Sequence, residues 1–183
     1  MSDIVKSICA VEGVEAAGVK EGKYGLALIR ASGTGAAVFT KNRVRAPVVN
    51  LMAERTLRGK LDGVIVNSGC ANAYTGKRGF EDAKTMAAIG AEALGIDEMN
   101  CGVASTGVIG RYLDLDLIRR QTAAVAPNLA HSGAAEDAAA RAIMTTDTYS
   151  KEVAVEFEIG GKTDTVQIKQ RGTQFDFPAS GSG

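Results

Sequence analysis

The chain has 183 residues, 45% of them hydrophobic and 23% charged, with 21 Lys and Arg balanced by 21 Asp and Glu. That fits one globular domain with a proper core. Zero net charge, four Tyr, five Phe and no Trp argue against nucleic acid as the main partner, and no apolar run reaches the length of a membrane span.

The N-terminal stretch through Cys9 carries acid early and has no apolar h-region, so it does not read as a signal peptide. Tyr24 to Ala31 reads as a strand, with Gly35 to Thr40 as its hairpin partner across the Ser32-Gly-Thr-Gly35 turn. Val48 to Leu57, after Pro47, predicts a helix. Asp62 to Asn67 is a short buried strand, opening into the small-residue loop Ser68 to Gly76. Ala83, Met86, Ala87, Gly90 and Leu94 recur at helical spacing, and Gly95 stops that helix. A strand around Val103 follows, then helices over about 115–125 and 134–142, the second starting from Ser132. Val153, Val155, Phe157 and Ile159 alternate, Gly160-Gly161 turns the chain, and Val166 and Ile168 resume the alternation, which predicts a hairpin. Interleaved strands and helices give an α/β or α+β class.

Nucleotide binding finds no support. Gly33-Thr-Gly35 is too short for a dinucleotide fingerprint and reads as a hairpin turn, and GxxxxGK[ST] is missing. Cys9, Cys70 and Cys101 form an odd, widely spaced set that fits reduced thiols in the cytoplasm. With His131 as the sole histidine, no zinc or iron site and no other cofactor is expected. Cys70 with His131 as base is conceivable. The stronger reading has Cys70 as a buried packing residue and His131 as an exposed loop residue. Thr145-Thr-Asp-Thr148 reads first as a turn-capping cluster, with a hydroxyl-lined pocket as the alternative. Asn67 to Gly76, rich in Gly, Asn and Ala, suits a tight loop with left-handed positions. It could also present amides to a small polar substrate.

Gly102-Val-Ala-Ser-Thr-Gly-Val-Ile-Gly110 is the most informative stretch. An apolar run ends in Ser105-Thr-Gly107, which puts backbone N–H groups and a hydroxyl at a strand exit, suited to stabilising negative charge on an oxygen. A nucleophile with its base is not legible, so the chain reads as half of an active site.

Gly18-Val-Lys-Glu-Gly22, Gly35 to Asn42, Val66 to Gly76, Ser105 to Gly110 and Ile143 to Thr148 together resemble one family in order and spacing. It is the N-terminal, or alpha, part of ornithine acetyltransferase (glutamate N-acetyltransferase) of arginine biosynthesis, over roughly residues 10–162. The resemblance implies a layered α/β/β/α sandwich completed by a beta chain, and further assembly of alpha–beta pairs into an alpha2beta2 particle. It implies a precursor that cuts itself before a threonine, which then opens the beta chain as the nucleophile. Acetyl passes from N-acetylornithine to that threonine and on to glutamate; whether acetyl-CoA is a further donor stays open. By the same resemblance Thr106 and Gly107 match the oxyanion pair and Thr145 the substrate threonine, while Lys169 is the nearest candidate for a substrate-binding lysine before the cleavage site.

The C-terminal run departs from the family's glycine-rich pattern, with Gln170-Arg171, Phe175-Asp-Phe177 and Pro178 where small residues are expected. Residues 1–169 are therefore read as one alpha-chain domain and 170–183 as an altered or appended tail, uncut before Ser180. Two rivals remain. One is a related N-terminal-nucleophile aminopeptidase, separable by a screen of N-acetylornithine against peptide amides. The other is an inactive or engineered scaffold whose role is assembly.

Overall fold

The computed structural model describes residues 7–159 and 162–168. Four strands form one mixed sheet in sequence order: β1 (Glu15–Glu21), β2 (Tyr24–Thr34), β3 (Lys60–Cys70) and β4 (Cys101–Val108). The first two pairings are antiparallel, and β3–β4 is parallel. Helix α2 (Gly76–Leu94) supplies the crossover that a parallel pair requires. With α1 (Pro47–Arg55) and α3 (Leu115–Val125) it covers one face of the sheet, while α4 (Gly133–Ala142) packs on the other, against β1 and β2. A separate antiparallel hairpin follows, β5 (Val153–Ile159) with β6 (Lys162–Ile168).

The two faces are built from different residues. Toward α1–α3 the sheet presents Leu26, Leu28, Ile65 and Val103, which bury against Met86, Ile89, Ile118 and Val125. Toward α4 it presents Ala16, Ala27, Val66 and Ala104, which meet Ala139, Ala142 and Ile143. Gly18 lets α4 approach: a Cβ there would stand 2.5 Å from the Ala138 carbonyl oxygen and 2.7 Å from Ala139 Cα.

Local signals place the helix ends. Asp114 accepts from Leu117 N–H and Ser132 from Ala135 N–H, capping the first turns of α3 and α4. Gly95 ends α2 at φ +66. Arg55, 1% exposed, donates to the Glu98 and Cys101 carbonyls at 2.5 and 2.6 Å and fastens α1 to the start of β4. Buried Glu136 on α4 accepts the N–H groups of Ser7 and Cys9 at 3.1 and 3.0 Å, which holds the N-terminal segment to that helix.

Two expectations fail. Ser68 to Cys70, read as the start of a loop, are the end of β3 and pair with β4. Gly35 to Thr40 is not a strand, and Ser32 to Gly35 is no hairpin turn; β2 runs on through Thr34, pairing Gly33 with Leu61 and Thr34 with Lys60 beyond a bulge. The hairpin partner is β1, joined through Gly22 at φ +58. Its inward residues Ala16, Ala17 and Gly18 are too small to mark a strand by alternating bulk. Lys169, the Gly160-Gly161 turn and the 170–183 tail lie outside the described residues.

Candidate functional site

The Ser105-Thr-Gly107 motif ends β4, which is an edge strand among the described residues. Residues Cys101 to Thr106 are buried; Gly107 and Val108 emerge. Thr106 is 7% exposed and pairs in register with Ser68. Gly107 takes φ +126, and a Cβ there would overlap the Gly69 carbonyl carbon and stand 2.7 Å from Cys70 N, so only glycine fits. Two backbone bonds hold the exit, Ala71 N–H to the Val108 carbonyl at 2.9 Å and Gly110 N–H to the Ala73 carbonyl at 2.8 Å.

That clamp is the end of β3 and the small-residue stretch after it, which contains the left-handed positions expected there: Gly69 at φ 99 in β3, Asn72 at φ 47 and Tyr74 at φ 62 in the loop, and Gly76 at φ 59 where α2 begins. Its amide side chains point inward. Asn67 donates to the Cys70 carbonyl at 2.9 Å, and the fully buried Asn72 donates to the Gly79 carbonyl at 2.8 Å while accepting from the Thr75 hydroxyl. The loop therefore braces the Thr106–Gly107 exit. Presenting those amides to a ligand would first require breaking these bonds.

Beside the exit lies a small depression between the end of β3 and the start of α3, lined by Asn67 to Cys70, Arg111 to Leu113 and Gln121 among others. Arg78 stacks on Tyr112 there, 3.9 Å from the ring centre. Tyr74, Val108, Ile109 and Tyr112 are exposed around this end of the sheet.

Thr145 is exposed, in the bend that follows α4, and Asp147 in the same bend pairs with Lys151 at 2.6 Å. Ser68 and Ala142 connect this bend to the motif. The Ser68 hydroxyl donates to the carbonyl of Ala142, the last residue of α4, at 2.6 Å, and Ser68 is Thr106's neighbour on β3. Lys20 joins them, with its ammonium 2.8 Å from Ser68 Oγ. Lys20 and Ser68 were no candidates in the sequence, because their meeting depends on register across three strands.

The thiols are unsuited to nucleophilic work. Burial pushes Cys70 up, opposed by its neighbours Asn72 and Arg111, and its sulfur faces the Arg111 and Tyr112 carbonyls. Burial likewise raises Cys9, and it drives Cys101 to about 12. All three are free and buried. His131 lies exposed with Nδ1 2.8 Å from the Val14 carbonyl, so the Cys70–His131 pair does not form. Among the described residues no group of His, Cys, Asp or Glu could hold a metal, and no helix is long and apolar enough to cross a membrane. The arrangement can offer a hydroxyl and a backbone N–H at an open sheet edge, and the exposed Thr145 lies in the bend that follows α4.

Residues 11–173 match the ArgJ family. The chain is 52% identical over 153 residues to a glutamate N-acetyltransferase of Methanothermobacter thermautotrophicus, covering 83% of this chain and 38% of that protein. Among solved structures it resembles an arginine biosynthesis bifunctional protein of Bacillus halodurans, with TM-score 0.84 and 37% identity over 91% of this chain and 90% of that one. It also resembles an ornithine acetyltransferase of Mycobacterium tuberculosis solved with ornithine, with TM-score 0.83 and 34% identity over 93% and 95%. The chain thus spans about two fifths of the curated relative's length, yet nearly all of each solved chain.

Proposed function

The chain belongs to the ArgJ family, and on that premise we propose that it is the alpha part of a glutamate N-acetyltransferase of arginine biosynthesis. The reaction moves acetyl from N-acetylornithine to glutamate. The nucleophile is the hydroxyl of a threonine that opens a partner chain, released when a common precursor cuts itself, and its own amine acts as base. Attack on the acetyl carbonyl makes a tetrahedral oxyanion, which collapses to acetyl-threonine and expels ornithine's amine. Glutamate's amine then attacks the ester, a second oxyanion forms, and the threonine is released.

Thr106 and Gly107 meet the oxyanion in both passes, donating from the hydroxyl and the backbone N–H. Thr145 contacts substrate, and Lys169 serves as the substrate-binding lysine near the cleavage segment. Two alpha–beta pairs assemble further.

The observation that carries this reading is the position of the Thr106–Gly107 pair. It ends a buried edge strand where the sheet has no further strand among the described residues, in a backbone path only glycine can follow. Such a site awaits a partner that supplies the attacking group. The exposed apolar residues Val108, Ile109, Tyr112 and Tyr74 nearby suit a covered surface. Lengths agree as well: solved relatives have chains of about this size, against a full-length relative of which this chain covers 38%.

The test is purification followed by intact-mass analysis and N-terminal sequencing. A second chain beginning with Thr should accompany this one, and the pair should transfer acetyl from N-acetylornithine to glutamate while leaving peptide amides intact. A lone monomer, or a complex that cleaves peptide amides and ignores N-acetylornithine, would refute the reading.

A further inference from the structure

One row of residues crosses the whole sheet. Lys20 on β1 stands opposite Gly25 on β2, Gly25 opposite Ser68 on β3, and Ser68 opposite Thr106 on β4. Residues opposed in a sheet share a face. This is the α4 face, since Ala27, Val66 and Ala104, two residues away on their strands, bury against that helix.

Lys20 reaches along the row. Its ammonium lies 2.8 Å from Ser68 Oγ, 3.4 Å from the Ala142 carbonyl and 2.5 Å from the Met144 carbonyl. Gly25 opens the way: a Cβ there would overlap the Ala142 carbonyl oxygen and stand 2.9 Å from both Lys20 Cδ and Ser68 Oγ. A lysine ammonium has three donors, and among the described residues Ser68 Oγ and the Ala142 and Met144 carbonyls lie within their reach. One carbonyl, that of Ala142, is the last of α4, where the helix has no partner of its own to offer and a cation complements the dipole; the other, that of Met144, lies two residues beyond the helix. Met144 immediately precedes Thr145.

We propose that Lys20 is a positioning residue for acetyl transfer. It ties the carbonyls of Ala142 and Met144 to Ser68 and thereby sets the spacing of Thr145 from the row that ends in Thr106. Lys20 touches neither the substrate nor the reacting atoms. The proposal rests on the roles given above to Thr106 and Thr145. Three features separate it from a simple surface lysine: the glycine gap beneath its stem, the hydroxyl shared between the ammonium and Ala142, and the contact one residue before Thr145.

The experiment is a kinetic double-mutant cycle on the enzyme with its partner chain, using Lys20→Met, Thr145→Val and both together. Lys20→Met should raise KM for N-acetylornithine about three- to tenfold, the scale of an ordinary hydrogen bond, since exposure of Lys20 weakens its charged contacts, and leave kcat within about twofold. In the Thr145→Val background it should add nothing, because the residue it positions has lost its contact. Lys20→Gln replaces Lys20→Met if the latter does not fold. A flat KM for Lys20→Met, or an equal rise in both backgrounds, while Thr145→Val alone raises KM, overturns the role of Lys20 and leaves Thr145 standing. A flat KM for Thr145→Val overturns the assignment of Thr145 and this proposal with it.

Discussion

The two faces of the sheet solve different problems. Beneath α1–α3 lie large aliphatic side chains, with Leu26, Leu28 and Ile65 fully buried; beneath α4 lie mostly alanines and glycines, with Val66 the largest buried side chain the sheet offers there. Large side chains bury much apolar area and hold the layers apart. Small ones bury little and bring backbones close, so a helix set on them has its height and direction fixed by backbone contact. The large face supplies most of the buried apolar area; the small face lets α4 come close, and on the proposal above that closeness sets where Thr145 stands relative to Thr106.

The sharpest break in the comparison comes from one substitution on each side. Leu28→Ala, in the large face, should cost about 2–5 kcal/mol of unfolding free energy by loss of buried area and an unfilled cavity. Denaturant titration measures it. Below its melting range this variant should keep its KM for N-acetylornithine. Gly18→Ala should show the reverse balance. The new methyl meets backbone of α4 at Ala138 and Ala139, which cannot rotate away, so the helix must shift at a cost of about 1–3 kcal/mol. KM should rise although less stability is lost. If Gly18→Ala keeps its KM and Leu28→Ala raises it, the division of labour is wrong.

A milder change sharpens the same point. Ser132→Ala removes the side-chain cap of α4, worth about 1 kcal/mol. It frays the start of the helix, far from Ala142, so the melting temperature should fall with KM unchanged. The smallest effect is chemical. Cys101 sits in the large-face core and Cys9 in the small-face cluster. Both thiols are raised by burial, Cys101 to about 12 against an ordinary 9.0. The folded state therefore holds Cys101 neutral while the unfolded chain ionises it. Its contribution to stability is full below pH 9.0, declines above that and is lost as pH rises through about 12. Alkylation of the native protein at pH 8 should spare Cys101 most; rapid labelling of Cys101 would contradict its burial.

Much of the fold is written locally. Asp114, Ser132 and Gly95 mark helix ends by side chain or backbone freedom, and α2 has an unbroken apolar stripe. β1 was illegible for the reason that makes it useful: a strand built to receive a close helix has no large alternating side chains to reveal it. With β1 unmarked, the sequence offers β2 only the apolar run after Gly35 as a neighbour. At the site, the strand exit at Thr106–Gly107 could be seen from pattern, but the assignment of Thr145 came from family resemblance, since its residues also make an ordinary bend. Lys20 was beyond local reading. Its role depends on a register that joins residues 20, 25, 68 and 106, and no single segment encodes that row.

The most direct test of the central claim is the turnover of Thr106→Ala in the enzyme paired with its partner chain, assayed for acetyl transfer from N-acetylornithine to glutamate. Loss of one oxyanion donor predicts a fall in kcat of about 10²–10³ with the fold and the partner retained. A folded, partnered Thr106→Ala enzyme that turns over at the original rate would contradict the account.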